Sequence, residues 1–383
     1  GSREGFGVAF SGFSPEGSLA GDLRQDADQV MTVQVQRALG EHRPENLYLA
    51  GNVLDAFDGR GWSRERQGAA GEVFLDTAQT LYAVRRANRE YQRDYLREVS
   101  LDIRYEDFNT GYVFAPLKTW KLETGEGKAL EYACQGEELR WKGRKGYGTE
   151  YRVRYFAMNL GQQEFDLFLE QAAGQTWGHE AHRPQDPGQE EGRGTDISSG
   201  ILQECRRQNG QEFTLDDVEA YREAIYRDYL GGTELSPEVE GLLEEITADA
   251  GTQIEKLRAI ERELAALSYT RTPGDLPERV TGEREFLDYF LLESRQGYCT
   301  YFATAFILLA RAEGIPARYV QGYCVPVREG KASVDSGMAH AWPEAYLEGA
   351  GWIPFEPTPG YGAGRYAPWE LEQAREMEQD RQA

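Results

Sequence analysis

Three residues in the C-terminal third of the chain have side chains suited to nucleophilic catalysis: Cys299, His340 and Glu356. An imidazole takes the proton of the cysteine thiol, and the resulting thiolate attacks a carbonyl carbon. The imidazole later gives a proton back, and a carboxylate holds it in one tautomer. Their order predicts a Cys-His-Glu catalytic triad in these roles. Because a single cysteine or histidine is more often a structural residue, the prediction depends on the three occurring together.

Cys299 is expected at the first turn of a buried helix. The segment CTYFATAFILLARAEG is apolar around nearly its whole circumference, a pattern typical of a central helix. Gly314 and Pro316 follow at the positions of a left-handed C-cap and a helix stop. Unpaired N–H groups and the helix dipole at the first turn favour the reactive thiolate form of a cysteine.

His340 and Glu356 are expected on two neighbouring strands. The stretch MAHAWPEAYLEG alternates in polarity, and GWIPFEPTP ends at Pro357 and Pro359. The EGAG sequence between them predicts a tight hairpin. An antiparallel pair of strands would bring the two side chains next to each other.

The segment that contains these residues resembles the core of the transglutaminase-like superfamily of papain-type cysteine enzymes. The matching pieces are GYCTYFATAF, LLARAEGIPARYVQGY, HAWPEAYL and GWIPFEPTP, within residues 281–361. The resemblance implies that Cys299 is the nucleophile and His340 the base, and Glu356 falls where the family most often has Asp. It also implies cysteine-dependent acyl transfer on protein or peptide carboxamides through a thioester, as in protein-glutamine γ-glutamyl transfer.

Three functions stay open at this point. An amine that takes the thioester completes a transamidation, whereas water gives the hydrolysis of a protease or deamidase. The third hypothesis is a catalytically idle extracellular scaffold that binds partners through its N-terminal strands. We expect a protein or peptide substrate, an amine acceptor if the chain is a transferase, no cofactor and no metal.

Residues 1–200 are expected to form a mostly-β domain that ends in a polar linker. Segments such as MTVQVQ, YLREVSLDIRY and EYRVRYFAM alternate or are rich in aromatic and β-branched residues. Gly-rich turns between them predict a sandwich or partial barrel. The stretch 76–94 has helical composition and predicts an inserted helix or a loop.

Residues 201–366 are expected to form the catalytic domain, and residues 367–383 a charged tail. Thr214 begins the first of three predicted helices, and the third is strongly amphipathic. A short helix over 283–292 leads into Cys299, whose backbone N–H we expect to stabilise an oxyanion. The predicted fold class is α+β, with a β-rich domain before a papain-like core in which a central helix packs on an antiparallel sheet.

A second resemblance lies in LYLAGNVLDAFDGRGWS, in which Trp62 is an expected aromatic anchor next to a turn. This phrase is similar to one in the extracytoplasmic region of bacterial membrane-anchored transglutaminase-like proteins. It implies a soluble domain at the extracytoplasmic face of the cell membrane, attached only through segments outside this sequence. The sequence itself has no apolar run of transmembrane length.

Charge and the spacing of cysteines and histidines argue against several partners and metal sites. A net charge of −23 disfavours nucleic acid and anionic lipid as partners. No CxxC pair is present, which argues against a zinc knuckle. His179 and His182 lie in a proline-broken stretch without a third ligand, so a surface loop is favoured over a metal site. Cys134 and Cys205 are candidates for a disulfide, with free thiols equally open.

Overall fold

The computed structural model gives the chain an α+β fold, as predicted, with strands dominating the N-terminal half. It describes residues 28–36, 43–88, 90–173, 201, 203, 204, 206, 207 and 214–382. The predicted linker, His179, His182 and Cys205 lie outside these residues. Among the described helices, none has the length and apolar character needed to cross a membrane.

The N-terminal half consists mainly of short strands whose side chains alternate between buried and exposed. In β5, for example, every second residue from Val99 to Tyr105 is buried, which is the pattern of a strand with one face on a core. The strands are β1 Gln29–Gln36, β2 Glu45–Leu54, β3 Ala56–Phe57, β4 Trp62–Ser63, β5 Leu96–Tyr105, β6 Thr110–Tyr112, β7 Thr119–Glu123, β8 Tyr132–Gln135, β9 Glu138–Lys145 and β10 Glu150–Met158.

Two helices interrupt these strands, α1 Glu72–Ala87 and α2 Gln163–Ala173. Helix α1 covers most of the stretch that composition predicted as helix or loop. Three further helices come after residue 213: α3 Leu215–Asp228, α4 Pro237–Ile246 and α5 Gln253–Ala265. Thr214 and Thr252 form capping boxes at the starts of α3 and α5, which satisfy backbone N–H groups there.

The elements after residue 265 include those that carry Cys299 and His340. They are β11 Ser268–Tyr269, α6 Glu283–Leu287, a π-helical segment Asp288–Ser294, β12 Gln296–Gly297, α7 Cys299–Ala312, β13 Ala317–Val327, β14 Lys331–Asp335, β15 Ala339–Leu347, β16 Gly351–Pro354, α8 Gly362–Arg365 and α9 Glu372–Gln382. Helix α9 has no buried residue, as expected of a charged tail.

The sheets combine strands from both sides of residue 200, where the sequence predicted a domain boundary. A four-stranded antiparallel sheet has the order β16-β15-β13-β2, and a five-stranded sheet has the order β14-β1-β5-β10-β7. Strand β2 therefore belongs to the sheet that carries His340, and β14 belongs to the N-terminal sheet. The N-terminal half thereby contributes directly to the core around the site.

Helix α7 is the central helix of this core. Each of its residues from Cys299 to Arg311 is buried, which confirms the helix expected from the apolar segment. It packs against β15, β13 and α5. Gly314 follows with φ of 76°, the left-handed conformation predicted for the C-cap region.

Candidate active site

The structure places the three predicted residues at the ends of three adjoining elements. Cys299 is the first residue of α7, His340 is the second of β15, and Glu356 follows β16 by two residues. Strands β15 and β16 pair antiparallel, with Glu344 opposite Pro354. Continuing that register beyond β16 returns the chain to the side of His340, so the predicted hairpin brings the carboxylate to the imidazole.

His340 and Glu356 form a direct hydrogen bond within the protein interior. The distance between His340 Nε2 and Glu356 Oε1 is 2.6 Å, and the Glu356 side chain has no exposed surface. Its second oxygen, Oε2, accepts the backbone N–H of Thr358 at 3.1 Å. A glutamate in place of the more usual aspartate therefore still reaches the imidazole.

The environment of His340 favours its protonated form. Burial alone would lower the pKa of His340, but the negative charge of Glu356, followed by that of Cys299, outweighs burial and raises the pKa to about 10. Glu356 occupies Nε2, and no hydrogen bond of ordinary geometry joins Nδ1 to a residue within the described ranges. Nδ1 is thus the ring nitrogen available to the Cys299 side chain.

Aromatic rings enclose the imidazole. Tyr361 stacks on His340 with 4.3 Å between ring centroids and 9° between ring planes. Trp342 lies at 6.2 Å in a stacked orientation, and Tyr48 approaches with its edge at 5.8 Å. These rings fix the plane of the imidazole and shield it from water, and a stacked aromatic face also favours an imidazolium cation.

Tyr48 is a residue of the site that sequence reasoning missed. It lies on β2, and its hydroxyl donates to Glu356 Oε1 at 2.5 Å, the same oxygen that binds His340. Burial and the adjacent Glu356 raise the pKa of Tyr48 well above its usual value, so the hydroxyl keeps its proton. The alternating LYLAG segment predicts the strand that contains Tyr48, but no local pattern identifies a partner 308 residues away.

A second buried carboxylate holds the backbone of Glu356. Glu261 on α5 accepts the Glu356 backbone N–H at 2.9 Å. Its side chain also accepts from the Tyr366 hydroxyl and from Arg258 at 3.3 Å. Arg258 is bound in turn by Asp166 of α2 at 3.0 Å. The amphipathic pattern of α5 predicted its apolar face but gave no signal for this polar support.

The first turns of α7 are also held from the N-terminal half. Trp62 stacks on Tyr319 at 5.1 Å, and its indole N–H donates to Thr304 of α7 at 2.9 Å. The Tyr319 hydroxyl donates to Thr300 at 3.2 Å. Trp62 is therefore the aromatic anchor expected from the DGRGW sequence. Its hairpin is pinned by Arg60, whose guanidinium donates to three backbone carbonyls at residues 276–280.

The other two described cysteines are buried. Cys134 is a free thiol on β8, and burial raises its pKa to about 12. Cys324, on β13, is also free, and burial together with Glu356 raises its pKa. Neither group is activated for attack near neutral pH. Over the described part of the chain, no group of three or more His, Cys, Asp or Glu side chains is arranged to hold a metal ion.

Two family models match separate parts of the chain. The model of the TgpA N-terminal domain matches residues 1–160, and that of the transglutaminase-like superfamily matches residues 240–357, which include all three predicted residues. The chain has a transglutaminase-like core. The pairing of β2 with β13 joins the two matched regions in one sheet.

Solved structures show the same overall fold. The periplasmic domain of TgpA from Pseudomonas aeruginosa has a TM-score of 0.51 and 16% identity, over 87% of this chain and 88% of that one. The ethylmercury-bound form of that domain has a TM-score of 0.52, again at 16% identity, over 87% of this chain and 90% of that one. At this level of identity the likeness concerns the fold.

Closer sequence relatives match shorter segments. Uncharacterized protein YebA of Bacillus subtilis is 31% identical over 166 residues, or 40% of this chain. A protein-glutamine gamma-glutamyltransferase of Pseudomonas aeruginosa is 35% identical over 98 residues, or 24% of this chain. The matched segments span only 21% and 13% of the lengths of these two proteins.

Proposed function

We propose that this chain catalyses cysteine-dependent acyl transfer on protein or peptide carboxamides, the reaction type of a protein-glutamine γ-glutamyltransferase. The observation that carries the proposal is the position of Cys299, at the start of α7, where its side chain interacts with an imidazole that Glu356 holds at 2.6 Å. The transglutaminase-like core supports it.

In the first half of the proposed reaction, the Cys299 sulfur attacks the carboxamide carbon and the carbonyl oxygen takes the electron pair. The backbone N–H of Cys299, at the helix start, is the proposed donor to that oxyanion. The C–N bond then breaks as His340 gives its proton to the nitrogen, so that ammonia leaves and a thioester remains. Glu356 stabilises the imidazolium and fixes its orientation.

In the second half, an amine attacks the thioester carbon. His340 accepts the proton that the amine loses, the C–S bond breaks, and the sulfur returns to Cys299 as thiolate. Water in the same position would give a carboxylic acid instead. The rings of Tyr361, Trp342 and Tyr48 around His340 support transfer to an amine, because they limit the access of water to the base.

The proposed setting of this reaction is outside the cytoplasm, on a protein or peptide substrate. Its support is the likeness of the fold to a periplasmic domain. Attachment to a membrane would depend on segments outside this sequence, and the net charge of −23 disfavours nucleic acid as a partner. We propose that the chain is organised into the sequence units 1–200, 201–366 and 367–383. The first two units share the four-stranded sheet that carries His340.

Incorporation of a fluorescent primary amine into a glutamine-rich protein tests the proposed function. The wild-type chain should label the protein, and Cys299→Ala should lower the rate by about 10³-fold or more, since the nucleophile is lost. The matched control is Cys134→Ala, which removes a buried thiol remote from the site and should label at close to the wild-type rate. Cys299-dependent release of ammonia or peptide cleavage without labelling would instead assign a hydrolase.

A further inference from the structure

The carboxylate of Glu356 has two side-chain donors on a single oxygen. Oε1 accepts His340 Nε2 at 2.6 Å and the Tyr48 hydroxyl at 2.5 Å. All three side chains are buried, and the remaining oxygen accepts a backbone N–H. The second donor comes from β2 of the N-terminal half, from a sequence region outside the transglutaminase-like segment.

We infer that Tyr48 is a positioning residue of this site. Its hydroxyl fixes the Glu356 carboxylate against His340 and limits how tightly that carboxylate holds the imidazolium. The N-terminal strand thus completes the arrangement, so the segment 240–357 by itself lacks one of its members. The inference rests on the roles proposed above for His340 and Glu356.

The shared oxygen determines the direction of the effect. Two donors on one acceptor compete for its electron density, so each weakens the hydrogen bond of the other. The O–H dipole of Tyr48 also points its positive end toward the place where the imidazolium charge develops. Tyr48 therefore makes His340 a better acid than Glu356 alone would allow. An acid that must give its proton to a leaving nitrogen works best when its pKa lies near the working pH.

Tyr48 is held firmly enough for this role. Its ring packs edge-on against Trp342 at 5.0 Å, and the Arg365 guanidinium lies 4.0 Å above it. Its backbone pairs with Cys324 in the β2–β13 ladder. Two residues away on β13, a Cβ atom at Gly322 would lie 1.8 Å from the Leu49 carbonyl oxygen, so β2 approaches β13 closely at this point.

Titration of His340 by NMR tests the inference directly. The chain contains four histidines, so ¹⁵N-labelled imidazoles give few signals, and His340→Gln assigns the relevant one. In Tyr48→Phe the midpoint of the His340 titration should move to higher pH by about half a pH unit or more, since only the competing hydroxyl is lost. The rate constant kcat for amine incorporation should fall about tenfold with KM unchanged.

The matched control is Tyr346→Phe, which removes another buried hydroxyl from the same sheet. That hydroxyl accepts from the neutral side chain of Gln79 at 2.8 Å, so its loss should leave the His340 midpoint unchanged. An unchanged or lowered midpoint in Tyr48→Phe, or an equal shift in Tyr346→Phe, would overturn the inference.

A second variant keeps the hydroxyl and decides the matter if Tyr48→Phe does not fold. Incorporating 3-fluorotyrosine at position 48 makes the hydroxyl a stronger donor, so the His340 midpoint should move to lower pH. No movement in this variant would also overturn the inference. The titration needs no turnover, so a chain that shifts as expected but never incorporates amine would refute the proposed function and leave the role of Tyr48 in place.

Discussion

Two buried clusters of charged side chains connect the N-terminal half to the core, and they differ in their cation. In the first, Arg66 and Arg318 both bind Glu137, at 2.7 and 2.9 Å. In the second, His340 binds Glu356 at 2.6 Å. A guanidinium keeps its charge at any physiological pH, whereas an imidazole exchanges a proton. The first cluster therefore stabilises the arrangement of strands, and the second can give and accept a proton during a reaction.

The two clusters share one strand. Arg318 lies directly opposite Glu344 in the β13–β15 ladder and binds it at 2.8 Å, and His340 is four residues before Glu344 on β15. Burial would lower the pKa of Arg318, but Glu344 and Glu137 raise it above its ordinary value. A permanently ionised pair thus fixes the strand that carries the titratable one.

The largest expected effect comes from breaking the arginine cluster, defined by Arg66, Glu72, Glu137, Arg318 and Glu344. Arg318→Met would leave the buried Glu344 carboxylate without its cation and Glu137 with Arg66 alone, so the free energy of unfolding should fall by about 3–5 kcal/mol in urea denaturation. The matched control is Arg104→Met, which removes a half-exposed pair with Glu150 and should cost less than about 1 kcal/mol. Equal losses in the two variants would contradict the structural role assigned to the cluster.

Removing the charge at the second cluster should affect catalysis most. Glu356→Gln keeps the shape of the side chain but no longer stabilises the imidazolium. Amine incorporation should fall by about 10²–10⁴-fold, as expected for the orienting member of a triad. A variant that retained more than about a third of the wild-type rate would show that Glu356 has no such role.

A smaller effect should appear in the pH dependence of stability. The pKa of His340 is raised from 6.5 to about 10 in the folded protein, so its ion pair contributes fully below about 6.5 and is lost as pH rises through about 10. The difference in free energy of unfolding between wild type and Glu356→Gln should therefore shrink across that window. A difference that stayed constant or grew between about pH 6.5 and 10 would place the proton elsewhere.

The site elements in the C-terminal third were predictable because their signals are local. The apolar run after Cys299, the stop at Gly314 and the hairpin before Glu356 each depend on a few neighbouring residues, and α7, β15 and β16 confirm them. The alternation of the N-terminal strands was equally visible. The fold class follows from these elements.

The supports of the site were not predictable in the same way. Tyr48 reaches Glu356 across 308 residues of sequence, and Glu261 reaches its backbone across 95. Alternation in a strand indicates which face is buried but not which strand lies beside it. The place of β2 in the four-stranded sheet, and with it the hydroxyl on Glu356, follows only from long-range pairing.

If Cys299 carries the acyl group, the thioester intermediate can be trapped on its sulfur. The wild-type chain would be mixed with a glutamine-containing peptide in the absence of amine, quenched in acid and digested for mass spectrometry. We expect an adduct on the peptide that contains Cys299, with the mass of the donor less ammonia, and none in Cys299→Ala. An adduct on Cys134 or Cys324 instead, or an equal adduct in Cys299→Ala, would contradict it.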